Sequence, residues 1–210
     1  GNRFELLTPE GSRQLRSPLV GQPHVYNVLA AAACTLALGY DLELIARALE
    51  NCTGAPGRFE RVEHAGDFAV VVDYAHTDDA LLNVLRTARD VTRGRVITVF
   101  GCGGDRDRSK RAPMGEAAAT LSDVVILTSD NPRTESPEAI FADIEVGLRA
   151  SARPFLKIAD RRAAIERAIK EARAGDLVVI AGKGHEDYQI IGTQTSHFDD
   201  KEVAREILGA

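Results

Sequence analysis

Two short polar segments of the sequence each follow an apolar run, and they carry side chains of opposite charge. Asp-Asn-Pro-Arg occupies 130–133, and Gly-Lys-Gly-His-Glu occupies 182–186. The guanidinium of Arg133 can hold a carboxylate through two parallel hydrogen bonds. The carboxylate of Glu186 can hold an ammonium group. A ligand that carries both groups, such as a free amino acid, is therefore the first substrate class to consider.

An alternation of strand-like and helix-like segments must position these residues. The strand-like runs are short and rich in β-branched residues, and they lie at 68–72, 96–100, 124–127, 155–158 and 177–181. Segments with apolar residues at helical spacing separate them, near 79–92, 113–121, 137–150 and 161–174. A strand pair around 188–191 and a helix over 201–208 are expected to close the fold. This alternation of strands and helices predicts an α/β domain with a parallel sheet covered by helices. In such sheets, ligands bind beyond the carboxyl ends of the strands.

The beginning of the chain has a different pattern. A short strand or two precedes apolar helical segments at 25–38 and 42–49. A segment of this size cannot bury the first helix alone, so we interpret it as the helical end of a preceding domain. Gly-Ala-Pro-Gly at 54–57 would join it to the larger domain. Two domains are predicted, over 1–61 and 62–210, and self-association through the apolar face of the first helix is compatible with the pattern.

Composition and charge exclude several function classes. The chain has 210 residues, of which 44% are hydrophobic, and this is enough for a buried core. A net charge of −5 and the absence of a basic block argue against nucleic acid as a partner. No long apolar run and no signal-peptide pattern occurs, so we expect a cytoplasmic chain with no membrane partner. Cys34, Cys52 and Cys102 lack disulfide or zinc spacing and are expected to be reduced and mostly buried.

Two polar residues near the first strand of the larger domain are compatible with nucleotide binding. Asp73 ends that strand, where its carboxylate can accept hydrogen bonds from ribose hydroxyls or can instead form a turn. Arg58 lies just upstream, where it can contact phosphates or simply face solvent. The sequence pattern alone leaves both alternatives open.

The loop after the second strand begins with Gly-Cys-Gly-Gly at 101–104, and these glycines are expected to let the main chain approach a ligand. The loop fails the dinucleotide-binding fingerprint, because Arg106 stands where the third glycine is needed. The cationic side chains of this loop could form a solvated face but are better placed to bind carboxylates or phosphates, and they are Arg106, Arg108, Lys110 and Arg111. No Gly-x-x-x-x-Gly-Lys-[Ser/Thr] motif and no metal-ligand spacing of histidines occurs, so neither a phosphate loop nor a metal site is predicted.

Taken together, these segments resemble the ATP-dependent Mur ligases of peptidoglycan synthesis over essentially the whole chain. The resemblance rests on Tyr-Asn-Val-Leu-Ala-Ala at 26–31, Gly-Arg-Phe-Glu at 57–60, Val-Asp-Tyr-Ala-His-Thr at 72–77, the loop 100–111, and the segments 130–133 and 182–186. For the larger domain it implies a Rossmann-like, mostly parallel sheet with helices on both faces. For 1–61 it implies the end of a central ATP-binding domain.

The resemblance also implies roles for individual residues. ATP would be bound by Asn27, Arg58, Asp73 and His76. The incoming amino acid would be bound by Arg106, Asp130, Asn131, Pro132, Arg133, Gly182 and Glu186. Magnesium would take its ligands mostly from a preceding part of the ligase, and no catalytic residue is assigned to this chain.

Asp-Asn-Pro-Arg is associated in this family with meso-diaminopimelate, whose distal carboxylate would pair with Arg133. Lysine lacks that carboxylate, and a site built for such a pair discriminates by as much as ~10⁴. The implied activity is the ATP-dependent addition of meso-diaminopimelate to UDP-N-acetylmuramoyl-L-alanyl-D-glutamate, with this chain inactive by itself. Two alternatives remain open: a folylpolyglutamate synthetase-like ligase domain that takes glutamate, and a stand-alone amino-acid-binding or regulatory module.

Overall fold

The computed structural model describes residues 1–149, 151 and 154–210, and the chain divides into two compact units, Gly1–Ala55 and Pro56–Ala210. The division comes earlier in the chain than the predicted boundary at 61. The reason is that residues 56–61 are bonded into the larger unit. The N–H of Phe59 donates to Asp73 Oδ2 at 2.7 Å, and Glu60 and Arg61 pair as a short strand with Val72 and Val71.

The smaller unit consists of a hairpin and two helices. Strands β1 (Asn2–Thr8) and β2 (Gly11–Ser17) pair antiparallel, and α1 (Gln22–Ala37) and α2 (Leu42–Glu50) follow them. The buried apolar side chains come from the hairpin and from both helices, and they are Leu6, Leu15, Val28, Ala32, Leu42, Ile45 and Ala46. This unit therefore buries part of α1 by itself, contrary to the expectation that the segment could not. Tyr26 and Leu38 remain largely exposed, at 64% and 75%.

The larger unit alternates strands and helices in the predicted order. Its elements are β3 (Glu60–Arg61), β4 (Ala69–Asp73), α3 (Asp78–Val91), β5 (Val96–Phe100), α4 (Arg111–Leu121), β6 (Val124–Leu127), α5 (Pro137–Leu148), β7 (Phe155–Lys157), α6 (Arg161–Glu171), β8 (Leu177–Ala181), β9 (Tyr188–Ile191), β10 (Gln194–His197) and α7 (Asp200–Leu208). Six strands form one sheet in the order β3-β4-β8-β5-β6-β7, in which only the β3–β4 pair is antiparallel. β9 and β10 form a separate antiparallel hairpin. The α/β fold class with a mostly parallel sheet is confirmed.

Helices cover both faces of this sheet. One core cluster packs α3, α4 and α5 against the sheet, and a second packs α6 and α7 against its other face. Strands β5 and β8 are buried at every position, which is typical of parallel strands covered on both sides. The helix predicted over 161–174 ends earlier, at Glu171, because the N–H of Arg173 donates to Asp176 Oδ2 in a turn. The helix predicted over 137–150 ends at Leu148, and residue 150 lies outside the described residues.

The cysteines differ from the prediction. Cys34 and Cys52 are exposed and only Cys102 is buried, so the expectation of mostly buried thiols was wrong for two of three. Burial raises the pKa of the Cys102 thiol to about 12. In the part of the chain that the structure describes, no helix is both long and apolar enough to span a membrane.

Candidate functional site

The polar segments meet at one edge of the large sheet. Strand β8 lies between β4 and β5, and β6 follows β5, so the carboxyl ends of these four parallel strands are neighbours. The main chain already joins the loops there, since Gly182 N donates to Asp73 O at 3.0 Å and Gly104 N donates to Asn131 O at 2.9 Å. This edge is where open α/β sheets bind ligands.

Asn131 is the centre of the site and is only 2% exposed. Its side-chain Nδ2 donates to Glu186 Oε2 at 3.1 Å, and its main-chain oxygen accepts from Arg133 Nη1 at 3.4 Å. The guanidinium of Arg133 and the carboxylate of Glu186 therefore contact the same residue. The two loops therefore converge on Asn131, and each brings one charged side chain to it.

Arg133 is held by its own main chain and by β9. Its φ of 53° lies in the left-handed region, which is unfavourable for a side chain of this size. Two main-chain hydrogen bonds to β9 and the turn after it hold that conformation: Arg133 N donates to Ile190 O at 3.1 Å, and Gly192 N donates to Arg133 O at 2.7 Å. Nη1 also donates to Gly104 O at 2.9 Å. Within the described chain, Nε and Nη2 make no hydrogen bond, and this edge of the guanidinium suits a carboxylate.

Lys183 is a member of the site that the sequence interpretation missed. Its ammonium is fully buried, donates to Asn131 Oδ1 at 2.8 Å and to Tyr188 O at 2.7 Å, and lies 3.2 Å from Asp130 Oδ1. Burial lowers the pKa of Lys183, and the Asp130 carboxylate opposes that shift. In the sequence, this lysine was considered only as a phosphate-loop residue. In the structure, it joins the loop 182–186 to the segment 130–133.

The Asp73 carboxylate accepts hydrogen bonds from nearby main-chain N–H groups. Oδ1 accepts from Ala75 N at 2.8 Å, Oδ2 accepts from Phe59 N at 2.7 Å, and the residue is 7% exposed. These bonds are those of a turn-forming aspartate, which was one of the two alternatives left open. Each carboxylate oxygen can accept a further hydrogen bond, so the assignment to ribose hydroxyls stays a prediction.

Tyr74 is a second residue that the sequence interpretation did not select. The Arg58 guanidinium carbon lies 4.6 Å from the centre of its ring, within the range of a cation–π contact. The His76 ring lies 4.5 Å away, and its Nδ1 is 2.8 Å from Tyr74 O. The Tyr74 hydroxyl donates to Glu186 Oε1 at 3.4 Å, and burial and the Glu186 charge raise the pKa of the phenol. The side chain thus lies between the proposed nucleotide residues and the amino-acid residues.

The predicted cationic loop does not exist as one surface. Arg111 is fully buried and donates to Glu135 Oε1 at 2.9 Å and to Asp143 Oδ2 at 2.8 Å. Arg108 pairs with the same Glu135 at 2.9 Å, although its own side chain is 67% exposed. The Arg111 guanidinium, with the N–H of Asp105, lowers the pKa of Glu135 to about 2. Arg111 is therefore not an open anion-binding group, and the prediction was wrong for it. The exposure of Arg108 agrees with the alternative of a solvated face.

The rest of that loop also contacts protein. Lys110 Nζ donates to His76 O at 2.6 Å, and Arg106 is exposed and donates to Asp105 O at 3.1 Å. The glycine at 104 serves the neighbouring loop, because an added Cβ would lie 1.9 Å from Pro132 O. Gly104 was expected to make room for a ligand, but it instead allows the main chain of its own loop to approach that of Pro132 closely.

Comparison with known proteins decides the family. The family model "Mur ligase, glutamate ligase domain" matches residues 57–184, which contain most of the site described above. The chain belongs to the Mur ligase family. The resemblance read from the sequence is confirmed.

Curated relatives and a solved structure place the Mur ligase match more closely. A UDP-N-acetylmuramoyl-L-alanyl-D-glutamate--2,6-diaminopimelate ligase of Gloeobacter violaceus is 58% identical over 99% of this chain and 42% of its own length. A ligase of the same name from Solibacter usitatus is 54% identical over the same shares. A solved structure of a ligase of that name has a TM-score of 0.74 and 45% identity, over 99% of this chain and 42% of its own. The chain thus spans less than half the length of these relatives.

Membership of the Mur ligases implies ATP and magnesium. In residues 1–149, 151 and 154–210, no three His, Cys, Asp or Glu side chains form a group that could hold a metal ion. Magnesium in nucleotide sites is usually held by one or two carboxylates together with substrate phosphates, so its ligands stay a prediction. Asn27, predicted to contact adenine, lies exposed on α1 in the smaller unit, and its role stays a prediction.

Proposed function

We propose that this chain forms the amino-acid-binding part of an ATP-dependent amide ligase. The whole ligase would add meso-diaminopimelate to UDP-N-acetylmuramoyl-L-alanyl-D-glutamate in peptidoglycan synthesis. One observation carries the proposal: Arg133 and Glu186, from loops about fifty residues apart in the sequence, both contact the buried Asn131. The names of the curated relatives support the same substrate pair.

The charges of the site match an amino acid with a second carboxylate. The Nε–Nη2 edge of Arg133 would pair with the distal carboxylate of diaminopimelate, and Glu186 would receive an ammonium group. Arg133 is only half-buried, and its Nη1 already has protein partners. If lysine is bound in place of diaminopimelate, the unpaired guanidinium therefore costs less free energy than a fully buried cation would. We therefore expect discrimination against lysine well below the ~10⁴ of a fully enclosed polar site.

The proposed reaction has two steps. The γ-phosphoryl group of ATP passes to the free carboxylate of the D-glutamate, which gives an acyl phosphate and ADP. The amine of diaminopimelate, after losing a proton, then attacks the acyl carbon, the amide forms and inorganic phosphate leaves. The residues of this chain would contribute by holding the amine donor in place, which is the main source of rate in phosphoryl-transfer ligation.

The nucleotide side of the proposal rests on Arg58, Asp73 and His76 of the larger unit. Arg58 would contact phosphate and Asp73 the ribose hydroxyls, with His76 beside the bound nucleotide. Their grouping around Tyr74 supports a shared role, since Arg58 and His76 both pack on its ring. The 210-residue chain carries no Gly-x-x-x-x-Gly-Lys-[Ser/Thr] motif, and we predict that it does not turn over ATP alone.

Isothermal titration calorimetry with meso-diaminopimelate, L-lysine and L-glutamate tests the proposal on this chain. Weak binding that is selective for meso-diaminopimelate supports it. A preference for glutamate would instead favour a folylpolyglutamate synthetase-like domain. Submicromolar binding of any one amino acid would favour a stand-alone binding module, because a ligase that releases product gains little from so tight a ground state.

A further inference from the structure

The side-chain amide of Asn131 has one orientation that its neighbours accept. Lys183 Nζ and Ile190 N, both donors, lie 2.8 Å and 3.1 Å from Oδ1. Glu186 Oε2, an acceptor, lies 3.1 Å from Nδ2. Rotating the amide by half a turn would place its NH₂ against the ammonium and its oxygen against the carboxylate. The donors on one side therefore decide what the amide offers to Glu186 on the other.

We propose that Lys183 is a positioning residue of the amino-acid site. It fixes the Asn131 amide so that Nδ2 faces Glu186 and holds that carboxylate where a ligand ammonium can reach it. The inference rests on the proposed function, because it assigns Glu186 to the ligand.

Lys183 acts through Asn131 and not on the ligand directly. Its side chain is fully buried, it donates to Asn131 Oδ1 and Tyr188 O, and its ammonium lies 3.2 Å from Asp130 Oδ1. A substrate in the site has no access to so deeply buried an ammonium group. The ligand would experience this lysine only as the position of the Glu186 carboxylate.

The competing explanation is that Lys183 merely ties loops together through Asp130 and Tyr188. The two explanations differ in how Lys183 and Asn131 combine. If the lysine works through the amide, removing it costs binding only while the amide is present. If it works through the other two contacts, its loss costs the same in either background.

A double-mutant cycle on the 210-residue chain separates them, with the dissociation constant for meso-diaminopimelate measured by calorimetry. The variants are K183M, N131A and K183M/N131A, and K170M is the control because that side chain is 69% exposed. We expect K183M to weaken binding roughly tenfold. K183M/N131A should bind within about twofold of N131A, and K170M should match the parent chain. A double variant in which both losses multiply, or unchanged binding by K183M, overturns the proposal.

A ligand-free measurement separates failure of this proposal from failure of the proposed function. In the parent chain the Asn131 NH₂ signals should be resolved in NMR spectra and should exchange slowly with solvent. In K183M they should exchange at least tenfold faster, and equal protection in both proteins overturns the proposal whether or not any amino acid binds. If K183M does not fold because Asp130 is left without its cation, the comparison of D130N with D130N/K183M replaces it. Relative to D130N, D130N/K183M should bind meso-diaminopimelate roughly tenfold more weakly and should exchange its Asn131 NH₂ protons at least tenfold faster. If these differences are absent, the proposal is overturned.

Discussion

Replacement of Arg133 should abolish the preference for meso-diaminopimelate over lysine while leaving lysine binding almost unchanged. Two hydrogen bonds from the Nε–Nη2 edge to a carboxylate are worth about 1.5–3 kcal/mol each when they involve charge and are buried. Arg133 is half-buried, so we halve that sum of about 3–6 kcal/mol and expect Arg133→Ala to cost about 1.5–3 kcal/mol. This corresponds to a roughly 10- to 150-fold weaker dissociation constant for meso-diaminopimelate. Lysine has no distal carboxylate and should bind Arg133→Ala and the parent chain alike.

The assay is calorimetric titration of both amino acids into the parent chain, Arg133→Ala and Arg133→Lys. Arg133→Lys keeps the positive charge but not the planar guanidinium. Its affinity for meso-diaminopimelate should therefore lie between those of the parent chain and Arg133→Ala. Arg149→Ala is the matched control, because that arginine is 73% exposed and pairs with Glu145 one helical turn away. Equal weakening of both ligands by Arg133→Ala would show that the residue supports the fold of the loop and does not read the distal carboxylate. An unchanged ratio would refute the assignment.

Three further predictions concern stability and reactivity. Arg111→Met should lower the free energy of unfolding by about 3–5 kcal/mol, because it leaves Glu135 without its buried partner. Arg108→Met, at a largely exposed arginine, should cost no more than about 1 kcal/mol, and equal costs in urea titrations would contradict this ranking. The pKa of Glu135 lies at about 2, below its ordinary 4.5, so its stabilisation is complete above pH 4.5 and is lost as the pH falls toward 2. Glu135→Gln should flatten that part of the stability–pH curve, and an unaltered curve would count against the pairing. Cys102, with a pKa of about 12, should escape thiol labelling near neutral pH in the native chain while the other two cysteines react, as mass spectrometry can check.

The sheet and its helices could be predicted from the sequence because their signals are local. Three of the five predicted parallel strands, 96–100, 124–127 and 177–181, have the predicted bounds, since each is a largely apolar run that is followed by a polar residue or glycine. The helix predicted from 113 begins at Arg111 instead. Its first residue is a buried arginine whose carboxylate partners lie downstream in α5 and in the loop before it, and helical periodicity carries no sign of such a pair.

The convergence of Arg133 and Glu186 could also be predicted from the sequence, but the residues that hold them in place could not. Arg133 and Glu186 stand out because each ends a polar segment after a strand. Lys183 and Tyr74 act through contacts with residues 52 and 112 positions away, and such contacts exist only once the sheet order is known. Arg111 misled the prediction for the same reason, because its carboxylate partner, Glu135, follows a different strand. A local pattern reports the charge of a side chain but not whether the fold has already neutralised it.

Close main-chain contacts between distant segments also depend on glycines of the site. A Cβ on Gly184, at φ +56°, would lie 2.5 Å from the Tyr74 Cβ, and one on Gly57, at φ +66°, would lie 2.3 Å from the carbonyl carbon of Gly184. Three segments that are far apart in the sequence therefore touch main chain to main chain, which only residues without a Cβ permit. The second glycine of Gly-Lys-Gly-His-Glu makes room for Tyr74, and Tyr74 in turn donates to the glutamate that ends the same motif. The motif is thus a packing requirement of the neighbouring loops, and a substitution at Gly184 should displace Glu186 without altering any charged group.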